Sequence, residues 1–151
     1  MTKKEKYELI DSQIKSLCDG VKFKQANLAN ISSLLYHELP DVSWVGFYLF
    51  EDDKLVLNSF QGKPACVVIE KNKGVCGKAF SENKIIVVPN VHEFVGHIAC
   101  DSLSNSEIVI PLRKENKVIG VLDIDSYLLN RFLKGDVCGL AQIGLTIEKY
   151  L

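Results

Sequence analysis

Several things are missing from this sequence, and each absence excludes something. There is no excess of positive charge, since 18 Lys and Arg residues stand against 19 Asp and Glu for a net charge of −1. A surface without basic surplus is not organised around nucleic acid or anionic membrane. No apolar run approaches the roughly 18 residues a membrane helix needs. The start, Met1-Thr2-Lys3-Lys4-Glu5-Lys6-Tyr7-Glu8, is too charged for a signal peptide, so a cytoplasmic location is expected. The five cysteines are an odd number, and a reducing compartment argues against a structural disulfide framework while allowing catalytic or transient disulfides. Closely spaced cysteine pairs of the zinc type are also lacking. His97, Cys100, Cys66 and Cys76 could in principle ligate zinc, but the gap between Cys66 and Cys76 is far from the usual roughly two to four residues. No metal is expected.

What is present fits one domain spanning 1–151. A chain of 151 residues, 47% of them apolar, can bury a core without covalent staples. Tyr7, Ile10, Ile14 and Leu17 recur at helical spacing and predict a helix from Lys3 to about Cys18, stopped by Asp19-Gly20. A second helix is expected from about Phe23 to Glu38, with Leu28, Ile31 and Leu35 inward and Pro40 beyond it. Cys18 reads as a packing residue. The aromatic and β-branched stretch Trp44–Phe50, a charged break at 51–54, and Leu55–Phe60 predict a β-hairpin. A short strand near Cys66–Ile69, a short helix from about Gly74 to Glu82 and a strand over Ile85–Val88 follow. A second hairpin pairs Ile108–Arg113 with Val118–Asp125, and a last helix is expected from about Lys134 to Leu151. It would pack through Val137, Leu140, Ala141, Leu145 and Ile147, with Cys138 as a core thiol. This order argues α+β: an antiparallel sheet with the terminal helices on one face and a ligand pocket under a loop and short helix on the other.

The reactive-looking features lie on the pocket side. Residues 90–106 carry neither helical nor strand period, and an irregular connection of that length is usually functional. It holds Cys100, with His97 nearby, while His92 reads as a hydrogen-bonded structural residue. Cys66 and Cys76 sit beside Gly and Pro residues that mark turns. Strand alternation puts Asp123 and Asp125 on one face while Leu122 and Ile124 take the other. Two carboxylates on an otherwise apolar strand are costly unless they meet water, a cation or a partner. Trp44, early in its strand, could line the same pocket. The residues alone suggest a redox enzyme whose chemistry starts at Cys100.

The segments Trp44–Tyr48, Gln61–Cys66, Gly74–Gly77, Gly96–Asp101, Ser106–Ile108 and Val121–Ser126 together resemble the free methionine-(R)-sulfoxide reductases, a GAF-domain family. The resemblance spans roughly Gly20 to the carboxyl terminus. It implies reduction of free L-methionine (R)-sulfoxide, with thioredoxin as external reductant and no cofactor. By position it implies Cys100 as nucleophile, Cys66 as resolving cysteine, Cys76 as auxiliary thiol, and Glu107, Asp123 and Asp125 as the groups that hold and activate substrate. It also implies Trp44 against the sulfoxide methyl group. The departures fall in loops: Ile69–Lys73 replaces an Ile-Pro-Phe-Gly segment, and Val95 and Tyr127 stand where proline is common. The residue types suit the chemistry, because a sulfoxide sulfur attacked by thiolate needs an acid that protonates its oxygen, and crowded carboxyls raise one another's pKa. A sensory binding module is the competing reading, separable by activity with a dithiol. A homodimer stays open, since the first helix offers a face that could pack against a second copy.

Overall fold

Two tight turns organise the sheet. Asp52 and Asp53 (φ 51° and 63°) and Glu115 and Asn116 (φ 53° and 65°) are left-handed pairs, the backbone that a two-residue hairpin turn requires to match strand twist. In the computed structural model, which describes residues 1–98 and 100–151, these turns join β1 (Trp44–Glu51) to β2 (Lys54–Gln61) and β5 (Ser106–Lys114) to β6 (Lys117–Ser126). Short strands β3 (Val68–Glu70) and β4 (Ile86–Val88) close the edges. The order is β3-β2-β1-β6-β5-β4, with each described neighbour antiparallel. Helices α1 (Lys3–Cys18) and α2 (Lys24–Glu38) precede the sheet, α3 (Gly74–Glu82) links β3 to β4, and α4 (Lys134–Glu148) follows β6. No described helix is long and apolar enough to cross a membrane.

Period-2 alternation sends the two sets of strand side chains to different cores. Val45, Phe47, Ile108, Ile110, Leu122 and Ile124 pack with α1, α2 and α4. Trp44, Tyr48, Val109 and Val121 turn the other way and meet Val75, Cys76 and Ala79 of α3. The α+β expectation, with terminal helices on one face, thus describes the fold. Thr2 caps α1 through a reciprocal pair with Glu5, satisfying donors that a helix start leaves open.

Three packing expectations are corrected. The α1 stripe ends on Cys18, which is buried, and not on Leu17, which is exposed; the run 7, 10, 14, 18 follows the helical repeat more closely. Leu145 is exposed, and α4 instead packs with Ile143, Gly144 and Ile147. Cys138 is exposed and is no core thiol. The close approach there belongs to its neighbour Gly139, where a Cβ would fall 2.2 Å from Tyr7 Cγ. Among boundaries, β3 begins at Val68 and leaves Cys66 in irregular chain.

Candidate active site

The pocket face is built outward from Trp44. Its indole occupies space left by two glycines: a Cβ at Gly46 would lie 2.5 Å from Trp44 Cη2, and one at Gly62 (φ +123°) would lie 2.6 Å from Cδ1. The ring stacks on Phe60, and Nε1 donates to the Lys63 carbonyl at 3.0 Å. Four residues on, and therefore on the same strand face, Tyr48 donates its hydroxyl to the Cys66 carbonyl at 2.8 Å. Two aromatic residues of β1 thereby fix the segment that carries Cys66.

The acidic groups come from the central hairpin. Glu107 pairs with Asp125 across the β5–β6 ladder, and Asp123 lies two positions along on the same side. Glu107 and Asp123 are each 6% exposed. Burial, reinforced by the charge on Asp125, pushes the Glu107 pKa up to about 8. Asp123 and Asp125 are likewise held well above the ordinary carboxyl range, first by burial and then by neighbouring carboxylates. Three carboxyls this close cannot all ionise cheaply, so protons stay in the cluster near neutral pH. Asp123 Oδ1 is buried without a hydrogen-bond partner among the described residues, an unmet acceptor that invites a cationic donor.

Three cysteines converge on this face. Cys66 and Cys100 form a disulfide with Cα atoms 5.8 Å apart, joining the segment after β2 to the long loop before β5. Asp101 folds that loop by accepting from the Leu103 amide at 2.9 Å and from the Tyr127 hydroxyl at 3.1 Å. Cys76, on the first turn of α3, remains a buried thiol. Burial pushes its pKa well up, and the nearby negative charge of Asp123 adds to this. A thiol so disfavoured as thiolate is a poor nucleophile. Cys76, Cys100 and the three carboxyls line a cavity of about 50 Å³, and Cys66 stands at its margin through the bond to Cys100.

The structure therefore brings together Cys76, Cys100, Trp44, Glu107, Asp123 and Asp125 around one cavity, with Cys66 joined to them through its disulfide to Cys100 and not as a lining residue. His97 also lines the cavity, with Nε2 3.7 Å from Glu107 Oε1, and burial lowers its pKa, leaving it neutral beside the carboxyl. His92 bonds to Asn105 at 2.9 Å, in keeping with its structural reading. Tyr48 was not singled out from the sequence, although its even spacing from Trp44 was a usable signal. Lys63, Lys73 and Ser104 also line the cavity, and no local pattern marked them. The zinc set of His97 with three cysteines does not arise in this state, because two of its thiols are bonded to each other.

A six-stranded antiparallel sheet with the terminal helices on one face and a pocket on the other defines a GAF domain, and the GAF domain family matches residues 25–151. The chain belongs to that family. It is 50% identical over 151 residues to the free methionine-R-sulfoxide reductase of Escherichia coli, covering 100% of this chain and 92% of that one. The structure of the reduced form of fRMsr of Staphylococcus aureus superposes with a TM-score of 0.93 at 50% identity, covering 96% of this chain and 94% of the other. The free methionine-R-sulfoxide reductase of Neisseria meningitidis, in complex with its substrate, superposes with a TM-score of 0.95 at 40% identity, covering 99% and 90%. Within the GAF domains, the chain belongs to the free methionine-R-sulfoxide reductase family.

Proposed function

We propose that this protein reduces free L-methionine (R)-sulfoxide to methionine, using Cys100 as nucleophile and Glu107 as acid. The observation that carries the reading is that Cys100, disulfide-bonded to Cys66, shares one cavity with a buried acidic cluster containing an unpartnered Asp123 oxygen. The α-ammonium of a free amino acid supplies positive charge beside Asp123 and Asp125 and the donor that Asp123 Oδ1 lacks. Trp44 offers an apolar wall for the methyl group.

The Cys100 thiolate attacks the sulfoxide sulfur while Glu107, protonated near neutral pH because of its raised pKa, delivers a proton to the oxygen. The oxygen passes to Cys100 as sulfenic acid, and methionine leaves. Cys66 then attacks the Cys100 sulfur, releasing water and forming a Cys66–Cys100 disulfide. Thioredoxin opens that disulfide by dithiol exchange and becomes oxidised in turn. The route requires no cofactor. Cys76, disfavoured as thiolate, serves as a neutral donor beside Asp123 and as a reserve thiol.

The decisive assay follows NADPH loss with thioredoxin and its reductase. Free R-sulfoxide should be turned over, and free S-sulfoxide, N-acetyl-methionine sulfoxide and peptide-bound sulfoxide should not. Acylation removes the ammonium charge, so equal rates on the N-acetyl compound would sink the proposed recognition.

A further inference from the structure

We propose that the floor of this pocket also binds a thiophilic divalent cation of the zinc or cadmium class, held by the Cys76 thiolate and the Glu107 and Asp123 carboxylates, and that the ion excludes substrate. One ligand atom from each of the three residues lies within 4.8 Å of the others, and all three residues are buried. They come from three elements, with Cys76 on α3, Glu107 on β5 and Asp123 on β6. No short sequence motif encodes such a set, which is why cysteine spacing gives no sign of it.

The geometry is within reach of coordination. Ligand bonds of about 2.0–2.3 Å in a tetrahedral site put the donor atoms roughly 3.5 Å apart, so side-chain rotations of the order of an ångström close the set. The second observation is Asp123 Oδ1, buried and unpartnered among the described residues, a state that a cation relieves directly. The donor set is mixed, one soft sulfur with two hard oxygens, which suits zinc or cadmium better than magnesium or calcium. Three protein ligands leave a fourth position toward the cavity, open to water or, once the disulfide is reduced, to the Cys100 sulfur that lines the same cavity. Binding displaces to solvent the Cys76 proton and whichever protons Glu107 and Asp123 hold, so all three bind as anions. A bound ion occupies the carboxylates assigned above to the substrate ammonium; only this competition rests on the proposed function, and binding itself does not.

Cadmium is the first probe, because a cadmium–thiolate bond adds a charge-transfer absorption in the ultraviolet. The oxidised protein keeps Cys66 and Cys100 in their disulfide and leaves Cys18, Cys76 and Cys138 as thiols. Cys138→Ser removes the exposed one. In that background one cadmium per chain should bind and give the absorption, and adding Cys76→Ser should abolish it. Asp123→Asn, a second variant that keeps shape, should weaken zinc binding by about tenfold or more, since even outer-shell partners matter to that degree. With reduced wild-type protein, zinc should raise the apparent KM for methionine sulfoxide without changing kcat, and chelation should restore it. Absence of the absorption in Cys138→Ser protein, or its persistence after Cys76→Ser, overturns the proposal. Turnover in metal-free buffer without cadmium binding would defeat this inference alone, whereas cadmium binding without any turnover would defeat the proposed function alone.

Discussion

The two faces of the central hairpin are made by alternate residues of the same strand, yet they obey opposite rules. Leu122 and Ile124 point to the helices and are fully buried among apolar side chains. Asp123 and Asp125 point to the pocket, where carboxyls crowd one another and hold protons at pH values at which carboxyls are ordinarily ionised. The helix face lowers the free energy of the fold by removing apolar surface from water. The pocket face raises it, by burying groups that would be better solvated. The stability of the first tolerates the strain of the second, and the strained groups are the reactive ones.

The sharpest test of this division is at the thiols. Cys100→Ser should release no methionine even in a single turnover, because a neutral hydroxyl is a far weaker nucleophile than a thiolate. Cys66→Ser should release about one methionine per site, the yield of one sulfenic acid, and then stall with thioredoxin. A normal burst from Cys100→Ser would transfer the nucleophile role elsewhere.

Glu107→Gln keeps the shape of the pocket but has no proton to give, so turnover should fall roughly 10²- to 10⁴-fold. Wild-type activity should decline as pH rises through about 8, where Glu107 loses its proton. A Gln variant with full rate and the same alkaline limb would remove the residue from acid catalysis.

On the opposite face, Leu122→Ala should cost about 2–5 kcal/mol by leaving a cavity, with the chemistry unchanged in the protein that remains folded. Asp123→Asn should do the reverse, impairing turnover while preserving or raising stability, because it takes one ionisable carboxyl out of a crowded buried cluster. Denaturant unfolding beside steady-state kinetics separates the two. If Asp123→Asn destabilised the fold as much as Leu122→Ala, the contrast between the faces would fail.

The pH dependence of stability gives a smaller effect of definite sign. Glu107 binds its proton more tightly folded than unfolded, with its pKa raised from 4.5 to about 8. Its contribution is therefore complete below about 4.5 and is lost as pH rises toward 8, and Asp123 and Asp125 act in the same direction. Thermal unfolding between these limits should show the melting temperature falling with rising pH, with a shallower fall in Glu107→Gln. The smallest effect is expected at Cys138→Ser, where an exposed side chain on α4 should leave turnover unchanged and the unfolding free energy within about 0.5 kcal/mol of wild type.

Much of this division was legible residue by residue. The alternation of Leu122, Asp123, Ile124 and Asp125 assigned the faces, the charged break at 51–54 and the interval between Arg113 and Val118 placed the turns, and the aperiodic stretch around Cys100 marked the reactive loop. Helix packing was read less well. Leu17 against Cys18, and Cys138 against Gly139, differ by a single position, and a helical stripe resolves its facing residue only to about one neighbour until a partner helix docks.

Neighbouring residues set the elements, their order and the faces of their side chains, because propensity and period are local properties of the chain. Tertiary structure alone decided that His97 faces Glu107 and that Tyr48 holds the Cys66 carbonyl. It also decided that Cys76 stays a thiol beside Asp123 and that Glu107 keeps its proton near neutral pH. Those properties depend on distance and burial between segments far apart in the chain, and they come into being only when the loops close over the sheet and water leaves the carboxyls.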